Sequence, residues 1–119
     1  MNEHGASRAV IELGCIRIHP LLLDRDGRRL YVRDTEVVLS QLQFDLLEAF
    51  MDRPRHVIDR PSLRLIGWKG VCSERAIEDA ISRLRAKVAA AGGPNIVECV
   101  RGVGYRLGIA CPPPLRDRQ

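Results

Sequence analysis

The stretch ISRLRAKVAAAGGPNIVECVRGVGYRL, residues 81–107, decides the fold of this 119-residue chain. Its beginning continues a pattern in which apolar residues recur at spacings of four, three and four, which places them in one narrow stripe along a helix. The residues of this stripe are Ile77, Ile81, Leu84 and Val88. The glycines of AGG at 91–93 then predict that the helix ends at a glycine in the left-handed backbone conformation. The stretch therefore begins with a helix that packs on a core and then stops.

The second half of the stretch predicts a β-hairpin. Residues 96–100 form one arm and residues 105–107 the other, while Gly102 and Gly104 give the tip access to positive φ. A helix-turn-helix unit followed by such a hairpin is a winged helix. The pattern therefore requires further helices upstream.

Two upstream helices are predicted. Ser40 begins the first, because its hydroxyl can accept from the Gln43 amide while the Gln43 side chain reaches back to the cap. Residues 52–54 end it, since the residue before a proline avoids the helical region. Its apolar face is expected to contain Leu42, Leu46, Leu47 and Phe50, with Phe44 on the margin.

The second upstream helix is shorter. It is predicted to start after Asp59, a good N-cap, with Pro61 in its first turn. Leu63 and Ile66 are expected to face inward. Ser73 then caps the third helix, which includes the apolar stripe and runs to about residue 90.

Short strands are predicted before Ser40. Apolar residues occur in four places, at 16–18, 21–23, 30–32 and 37–39, and DRDG and RDTE lie between them as turns. This pattern indicates an antiparallel meander of three or four strands that completes the core. The predicted fold class is α+β: a winged helix-turn-helix with an N-terminal antiparallel β-sheet, three helices and a C-terminal β-hairpin wing.

The chain is expected to contain one domain. Its length suits a single core. Residues 15–109 are predicted to form the winged-helix domain, after a flexible N-terminal segment, 1–14. The run CPPPLRDRQ cannot continue a strand or a helix, so 110–119 is predicted to be a proline-rich disordered tail.

The composition is that of a globular protein, with 45% apolar and 29% charged residues. A net charge of +4 and a pI of about 9.2 permit binding to nucleic acid or to an anionic surface, without requiring either. Apolar runs are short and interrupted by charges, so neither a transmembrane helix nor a signal peptide is expected. The sequence thus predicts a soluble cytoplasmic protein.

Motifs for enzymatic or metal chemistry are missing from the sequence. The four cysteines, at 15, 72, 99 and 111, are too far apart for a metal knuckle, and the three histidines form no cluster. The sequence also contains no glycine-rich phosphate loop and no nucleophile elbow. We therefore expect no enzyme activity, no metal and no cofactor.

Four segments in order carry a family resemblance: LSQLQFDLLEAF, VIDRPSLRLIGW, RAIEDAISRLRAKV and VECVRGVGYRL. Together they resemble the DNA-binding effector domain of OmpR/PhoB-type response regulators, and the strands before them resemble the platform that opens this domain. The match covers about residues 15–108. The most specific part is RGVGYRL after ISRLRAK, because it combines recognition helix, spacer and wing.

The resemblance implies a bacterial transcriptional regulator that binds double-stranded DNA in the cytoplasm, at the nucleoid. Family members commonly bind direct repeats as pairs, so a homodimer on DNA is one expected partner, and RNA polymerase is another. The family's phosphate-accepting receiver domain is not in this sequence. The chain is accordingly expected to be either a stand-alone regulator or one piece of a larger one.

The resemblance makes residues 74–90 the recognition helix of the major groove. The face opposite the apolar stripe carries Arg75, Asp79, Ser82, Arg83 and Ala86. Arg83 is expected to be the chief reader of a base or adjacent phosphate, and Ser82 to bond to either. Arg75, Arg85 and Lys87 are expected to contact flanking phosphates. For Arg85, pairing with Glu78 or with solvent is an equal alternative.

The resemblance also makes residues 96–108 a wing at the minor groove. Arg101 at its tip is expected to enter that groove or grip its phosphates. Tyr105 matches a tyrosine whose hydroxyl touches phosphate, although a core ring is an equal and compatible interpretation. Trp68 is expected either to contact DNA through its indole N–H or to belong to the core. Arg60 and Lys69 are weaker phosphate candidates.

The sequence departs from the family in three places. Asp79 and Ala80 replace a small apolar residue and a histidine on the recognition helix. Asp79 is expected either to accept from cytosine or to pair with an arginine four residues away. Cys99 replaces a hydroxyl residue in the wing, beside the acidic Glu98. The stretch 69–74 is short, which weakens the expectation of a polymerase contact.

An alternative function follows from the acidic residues of the recognition helix. Glu74, Glu78 and Asp79 offset three of the four basic residues between positions 73 and 90. This balance favours a winged-helix protein-interaction or regulatory module that does not read DNA.

Overall fold

A computed structural model describes residues 11–12 and 14–109 of the chain. The predicted flexible segment 1–14 lies mostly outside these residues, and the predicted tail 110–119 lies wholly outside them. In the described part of the chain, no helix has the length and apolar character needed to span a bilayer.

The first layer is a five-stranded antiparallel sheet in which each strand pairs with its neighbour in the chain. Its strands are β1 (Ile11–Glu12), β2 (Cys15–Ile18), β3 (Leu21–Asp24), β4 (Arg29–Val32) and β5 (Thr35–Val37). Buried residues alternate with more exposed ones, as in a sheet covered on one face. The predicted meander is confirmed, with one strand more than expected because β1 lies within the segment predicted to be flexible.

The last turn of this sheet is shorter than the RDTE pattern predicts. Only Arg33 and Asp34 form it, and Arg33 has a left-handed φ of 54°. A two-residue turn brings Thr35 opposite Val32, so β5 begins there and not at position 37. Val38 follows the strand and is exposed.

Helix α1 (Gln41–Asp52) packs on this sheet and begins with the predicted capping box of Ser40 and Gln43. Its buried residues are Gln43, Phe44, Leu46, Leu47, Phe50 and Met51. Phe44 is 2% exposed, so the prediction that it lies on the margin is wrong. The reason is that the β3–β4 turn covers it, with the Arg28 guanidinium carbon 4.1 Å from the centre of its ring.

Ion pairs join the β3–β4 turn to α1. Arg25 lies 3.1 Å from Glu48 and 2.9 Å from Asp52, and Arg28 lies 3.3 Å from Asp45. These groups are partly exposed, so each pair contributes at most about 1 kcal/mol. Their main effect is to fix the position of α1 over the sheet.

Helix α2 (Arg60–Trp68) follows β6 (Ile58–Asp59). The Asp59 side chain accepts from the Ser62 amide at 2.9 Å, which confirms the predicted cap, and contacts from Ser62 lower the pKa of Asp59. Leu63 is buried as predicted, but Ile66 is 36% exposed. The prediction for Ile66 is wrong because α2 approaches α1 through Gly67, where a Cβ would lie 2.6 Å from Leu42 Cδ1.

Helix α3 (Glu74–Ala90) begins at Ser73, whose hydroxyl accepts from the Ala76 amide at 3.1 Å. Its buried residues are Ile77, Ala80, Ile81, Leu84 and Val88. The predicted stripe is therefore confirmed, with Ala80 added to its edge. Gly92 ends the helix at a φ of 85°, as predicted.

Strands β7 (Val97–Val100) and β8 (Gly104–Leu107) form the predicted wing, and β6 adds a third strand beside β8. Gly102 has the expected positive φ, 78°. Gly104 is required for another reason, since a Cβ there would lie 2.0 Å from the Ile58 carbonyl oxygen. The prediction that Gly104 serves the turn is therefore wrong. Glycine is needed at this position because β6 passes close to it.

Candidate nucleic-acid interface

The exposed face of α3 is the one predicted from its periodicity. Arg75, Asp79, Ser82, Arg83 and Ala86 are all exposed, while the apolar stripe beneath them is buried. Within the described residues, Arg75, Asp79 and Arg83 make no side-chain hydrogen bond or ion pair. Two guanidinium groups and one carboxylate on this face thus retain their full hydrogen-bonding capacity.

Arg85 lies on the side of α3 that faces the wing. Its Nε donates to the Val97 carbonyl oxygen at 2.9 Å, and the side chain is half-buried. The alternative prediction, in which Arg85 pairs with Glu78 or with solvent, is therefore wrong for Arg85 Nε. The hydrogen bond attaches α3 to β7 and orients the rest of the guanidinium.

Lys87 lies on the opposite side of α3, towards the first sheet. Its Nζ donates to the Val38 carbonyl oxygen at 2.7 Å in an exposed position. Together with Arg85, it gives α3 one cationic contact to the protein on each flank. The charged residues on the exposed face between these flanks, Arg75, Asp79 and Arg83, make no such contact among the described residues.

Glu74 connects the two helices of the helix-turn-helix. Its Oε1 lies 2.9 Å from Arg60 Nε, and its Oε2 accepts from Arg64 Nη2. Arg64 Nε also donates to the Cys72 carbonyl oxygen at 3.3 Å. The charge of Glu74 is thus matched by two arginines of α2. Sequence reasoning missed this contact, because partners ten and more residues apart have no periodic signal.

Arg60 links this ion pair to the wing. Its guanidinium carbon lies 5.3 Å from the centre of the Tyr105 ring. Burial opposes the charge of the Arg60 guanidinium, but Tyr105 and Glu74 outweigh this effect and raise its pKa. Arg60 is therefore a permanent cation in contact with α3 and β8, rather than a freely exposed group.

The tip of the wing is exposed, whereas its base belongs to the core. Arg101 and Val103 are exposed, and the Val103 amide donates to the Val100 carbonyl oxygen at 2.9 Å, which closes the turn. Tyr105 as a whole residue is 5% exposed, so the interpretation of its ring as part of the core is confirmed. The acidic Glu98 pairs with Arg106 across the strands at 2.5 Å.

Trp68 and Arg83 border the same depression, about 210 Å³ in volume, between α3 and the beginning of α1. Trp68 is half-buried and packs on the core, and Ser40 and Asp79 also line this hollow. The next residue, Lys69, is exposed and ends α2 with a left-handed φ of 56°. The structure thus brings Trp68 to the edge of the exposed α3 face.

Metal chemistry has no candidate site in the part of the chain that the structure describes. Residues 11–12 and 14–109 contain no group of three or more histidine, cysteine, aspartate or glutamate side chains arranged to hold an ion. The candidate site is the exposed face of α3, which carries Arg75 and Arg83, together with the exposed wing tip at Arg101.

The chain matches the family model described as "Transcriptional regulatory protein, C terminal" over residues 34–107. It is 34% identical over 94 residues to the transcriptional regulatory protein PrrA of Mycobacterium tuberculosis, covering 77% of this chain and 40% of the relative. It is 35% identical over 98 residues to the transcriptional regulatory protein GltR of Pseudomonas aeruginosa, covering 79% and 40%. The chain thus spans about two fifths of the length of these relatives.

Solved structures share the fold. The RstA DNA-binding domain of Klebsiella pneumoniae, crystallised in complex with the RstA box, has a TM-score of 0.68 and 30% identity, covering 78% of this chain and 95% of that one. The DNA-binding domain of the response regulator AdeR, in complex with an intercistronic region, has a TM-score of 0.72 and 26% identity, covering 76% and 96%.

Proposed function

Because the chain belongs to the OmpR/PhoB-type family of winged-helix DNA-binding domains, which are transcription-factor domains and not enzymes, we propose that it is a sequence-specific regulator that binds double-stranded DNA. Helix α3 occupies the major groove and the β7–β8 wing lies at the minor groove. The site of action is the bacterial cytoplasm, at the nucleoid.

The observation that carries the proposal is the state of the cations on α3. Arg85 and Lys87, on the flanks, donate to backbone carbonyl oxygens. Arg75 and Arg83, on the exposed face, have no such partner among the described residues. An exposed helix face with unused arginine donors suits the acceptor atoms of bases and phosphates.

Arg83 is the proposed chief reader. A guanidinium can donate two hydrogen bonds to guanine O6 and N7, a contact worth about 1–3 kcal/mol of discrimination. Ser82, its exposed neighbour, is small enough to bond to a base or a phosphate. Arg75 lies two helical turns before Ser82 and contacts a phosphate in this arrangement.

The remaining candidates serve the backbone and the minor groove. Arg101 at the wing tip enters the minor groove, where narrow A·T tracts attract arginine. Arg85 and Lys87 keep donors for phosphates beyond the bonds that orient them. Tyr105 and Trp68 present a hydroxyl and an indole N–H to phosphates. Because phosphate contacts dominate affinity, binding falls steeply with salt.

Assembly and recruitment are part of the same proposal. Two copies bind direct repeats. Binding as a pair raises the affinity for DNA of a chain whose net charge is only +4. RNA polymerase is the proposed partner of a DNA-bound copy. The loop between α2 and α3 is short and offers only a small surface for this contact, within which Val71 is 82% exposed.

The test is a titration of selected and random labelled duplexes at several salt concentrations. Arg83→Ala is expected to weaken binding to the selected duplex about 5- to 150-fold. Arg17→Ala is the matched control, since Arg17 is exposed on β2 of the first sheet and carries the same charge. Absence of binding to any duplex at low salt, or equal binding by wild type and Arg83→Ala, would contradict the proposal.

The second candidate function is a protein-interaction module without DNA reading. Glu78 and Asp79 support it, because both are exposed carboxylates on α3 without an ion-pair partner in the described part of the chain. Glu74 no longer supports it, since two arginines of α2 match its charge. The same titration separates the two functions.

A further inference from the structure

Asp79 is an exposed carboxylate at the centre of the face that the proposed function places in the major groove. Arg75 and Arg83 lie four residues before and after it, a spacing that permits ion pairs on a helix. Neither arginine pairs with Asp79, although all three residues are within the described part of the chain. Its negative charge is therefore available to whatever enters the site.

The negative charge of a free carboxylate in this position limits which DNA atoms can lie next to it. Phosphate oxygens repel it, and so do the acceptor atoms of guanine (N7 and O6) and of thymine (O4). Adenine offers an N6 amino donor, but its N7 acceptor lies beside that donor. Cytosine presents its N4 amino group without a neighbouring acceptor on the same base. Of the four bases, cytosine thus suits the carboxylate best.

On this basis, and resting on the proposed function, we infer that Asp79 is a specificity-determining residue that accepts a hydrogen bond from a cytosine amino group in the major groove. Asp79 and Arg83 then act as an acceptor and a donor on one helix face. Four residues correspond to about 6 Å along the helix axis. Stacked base pairs are about 3.4 Å apart, so the cytosine lies within about two base-pair steps of the base or phosphate that Arg83 contacts.

Asp79 and Arg83 also border one depression beside α3. Trp68 and the capping residue Ser40 line it as well. The two charged side chains therefore border one space and face it from the same side of the helix. Glu78 lies about 100° around the helix from Asp79, outside this lining.

The experiment is an in vitro selection of random duplexes by four proteins: wild type, Asp79→Asn, Glu78→Gln and Arg83→Ala. Asp79→Asn keeps the shape of the side chain but adds donors, and asparagine pairs with adenine N6 and N7. We expect its preference for cytosine at one base pair to fall about 5- to 30-fold and to shift towards adenine.

Glu78→Gln is the matched control, because it removes the same charge from the adjacent exposed position. It is expected to raise affinity for all duplexes slightly and to leave the cytosine preference unchanged. Arg83→Ala identifies the base that depends on Arg83. Thermal unfolding of all four proteins shows whether the fold is intact.

The outcomes separate the inference from the proposed function. No enriched motif for wild type would overturn both. An enriched motif that Asp79→Asn shares with wild type would overturn the inference and leave the function standing. A change confined to the base that also depends on Arg83 would show that Asp79 only positions Arg83, and this too would overturn the inference.

Discussion

Two groups of charged residues on α3 differ in what they contact. The anchored group, Glu74, Arg85 and Lys87, makes hydrogen bonds or ion pairs to α2, the wing and the residue that follows β5. The free group, Arg75, Asp79 and Arg83, makes none among the described residues. Both groups contain an acid and two bases. Charge composition therefore says little about function until the partners of each residue are known.

The three acidic residues of α3 do not all offset its exposed arginines. In the sequence, the acids of α3 offset its basic residues and favour a helix that does not read DNA. In the structure, Glu74 joins α3 to α2, so its charge does not compete with the exposed arginines. Only Glu78 and Asp79 remain as free acids on this helix. Loss of an anchored residue should thus lower stability, whereas loss of a free residue should alter binding without lowering stability.

The largest expected effect comes from truncating a residue of the buried stripe, which lies beneath both groups. Leu84→Ala should lower the free energy of unfolding by about 2–5 kcal/mol, because Leu84 is fully buried and its loss leaves a cavity. Chemical denaturation measures the change. Leu65→Ala is the matched control, since Leu65 is 68% exposed on α2. Equal losses for the two variants would contradict the placement of the core.

A smaller loss of stability is expected from the anchored group. Glu74→Gln should lower the free energy of unfolding by roughly 1 kcal/mol, because Arg60 and Arg64 lose their anionic partner while partly buried. Glu78→Gln, which removes the same charge at an exposed position without a partner, should change it by less than about 0.5 kcal/mol. If the two variants unfold alike, Glu74 does not belong to the anchored group.

The smallest effect on stability is expected from the free group. Arg75→Ala should change the free energy of unfolding by less than about 0.5 kcal/mol, since its side chain has no partner to lose. It should weaken binding to all duplexes and make the negative slope of log K against log salt shallower by about 0.9, the value for one phosphate. Binding measured at four salt concentrations gives this slope. A sequence-dependent loss with an unchanged slope would instead make Arg75 a base reader.

Features that depend on neighbouring residues could be predicted from the sequence. The Ser40 capping box, the Asp59 cap and the stripe of α3 are confirmed, because local spacing and local hydrogen bonds determine them. The exposed face of α3 follows from the stripe by geometry alone. The exposure of Arg75, Asp79 and Arg83 could therefore be predicted without a structure.

Features that depend on contacts between distant segments could not be predicted. Ile66 is exposed because α2 meets α1 through Gly67, and a periodic pattern within nine residues does not reveal that approach. Gly104 is needed because β6 passes close to it, although its place at a hairpin tip suggested a turn. The partner of Arg85 is twelve residues away, in the wing.

Arg60 contacts the beginning of α3 through Glu74 and the wing through the Tyr105 ring. The two elements that meet DNA in the proposed complex are therefore braced by one side chain, and the interval between them is a property of the protein. A bound duplex has to supply its major-groove and minor-groove contacts at that fixed interval. In the proposed complex, Arg60 thus holds the distance between the major-groove contacts of α3 and the minor-groove contacts of the wing nearly constant.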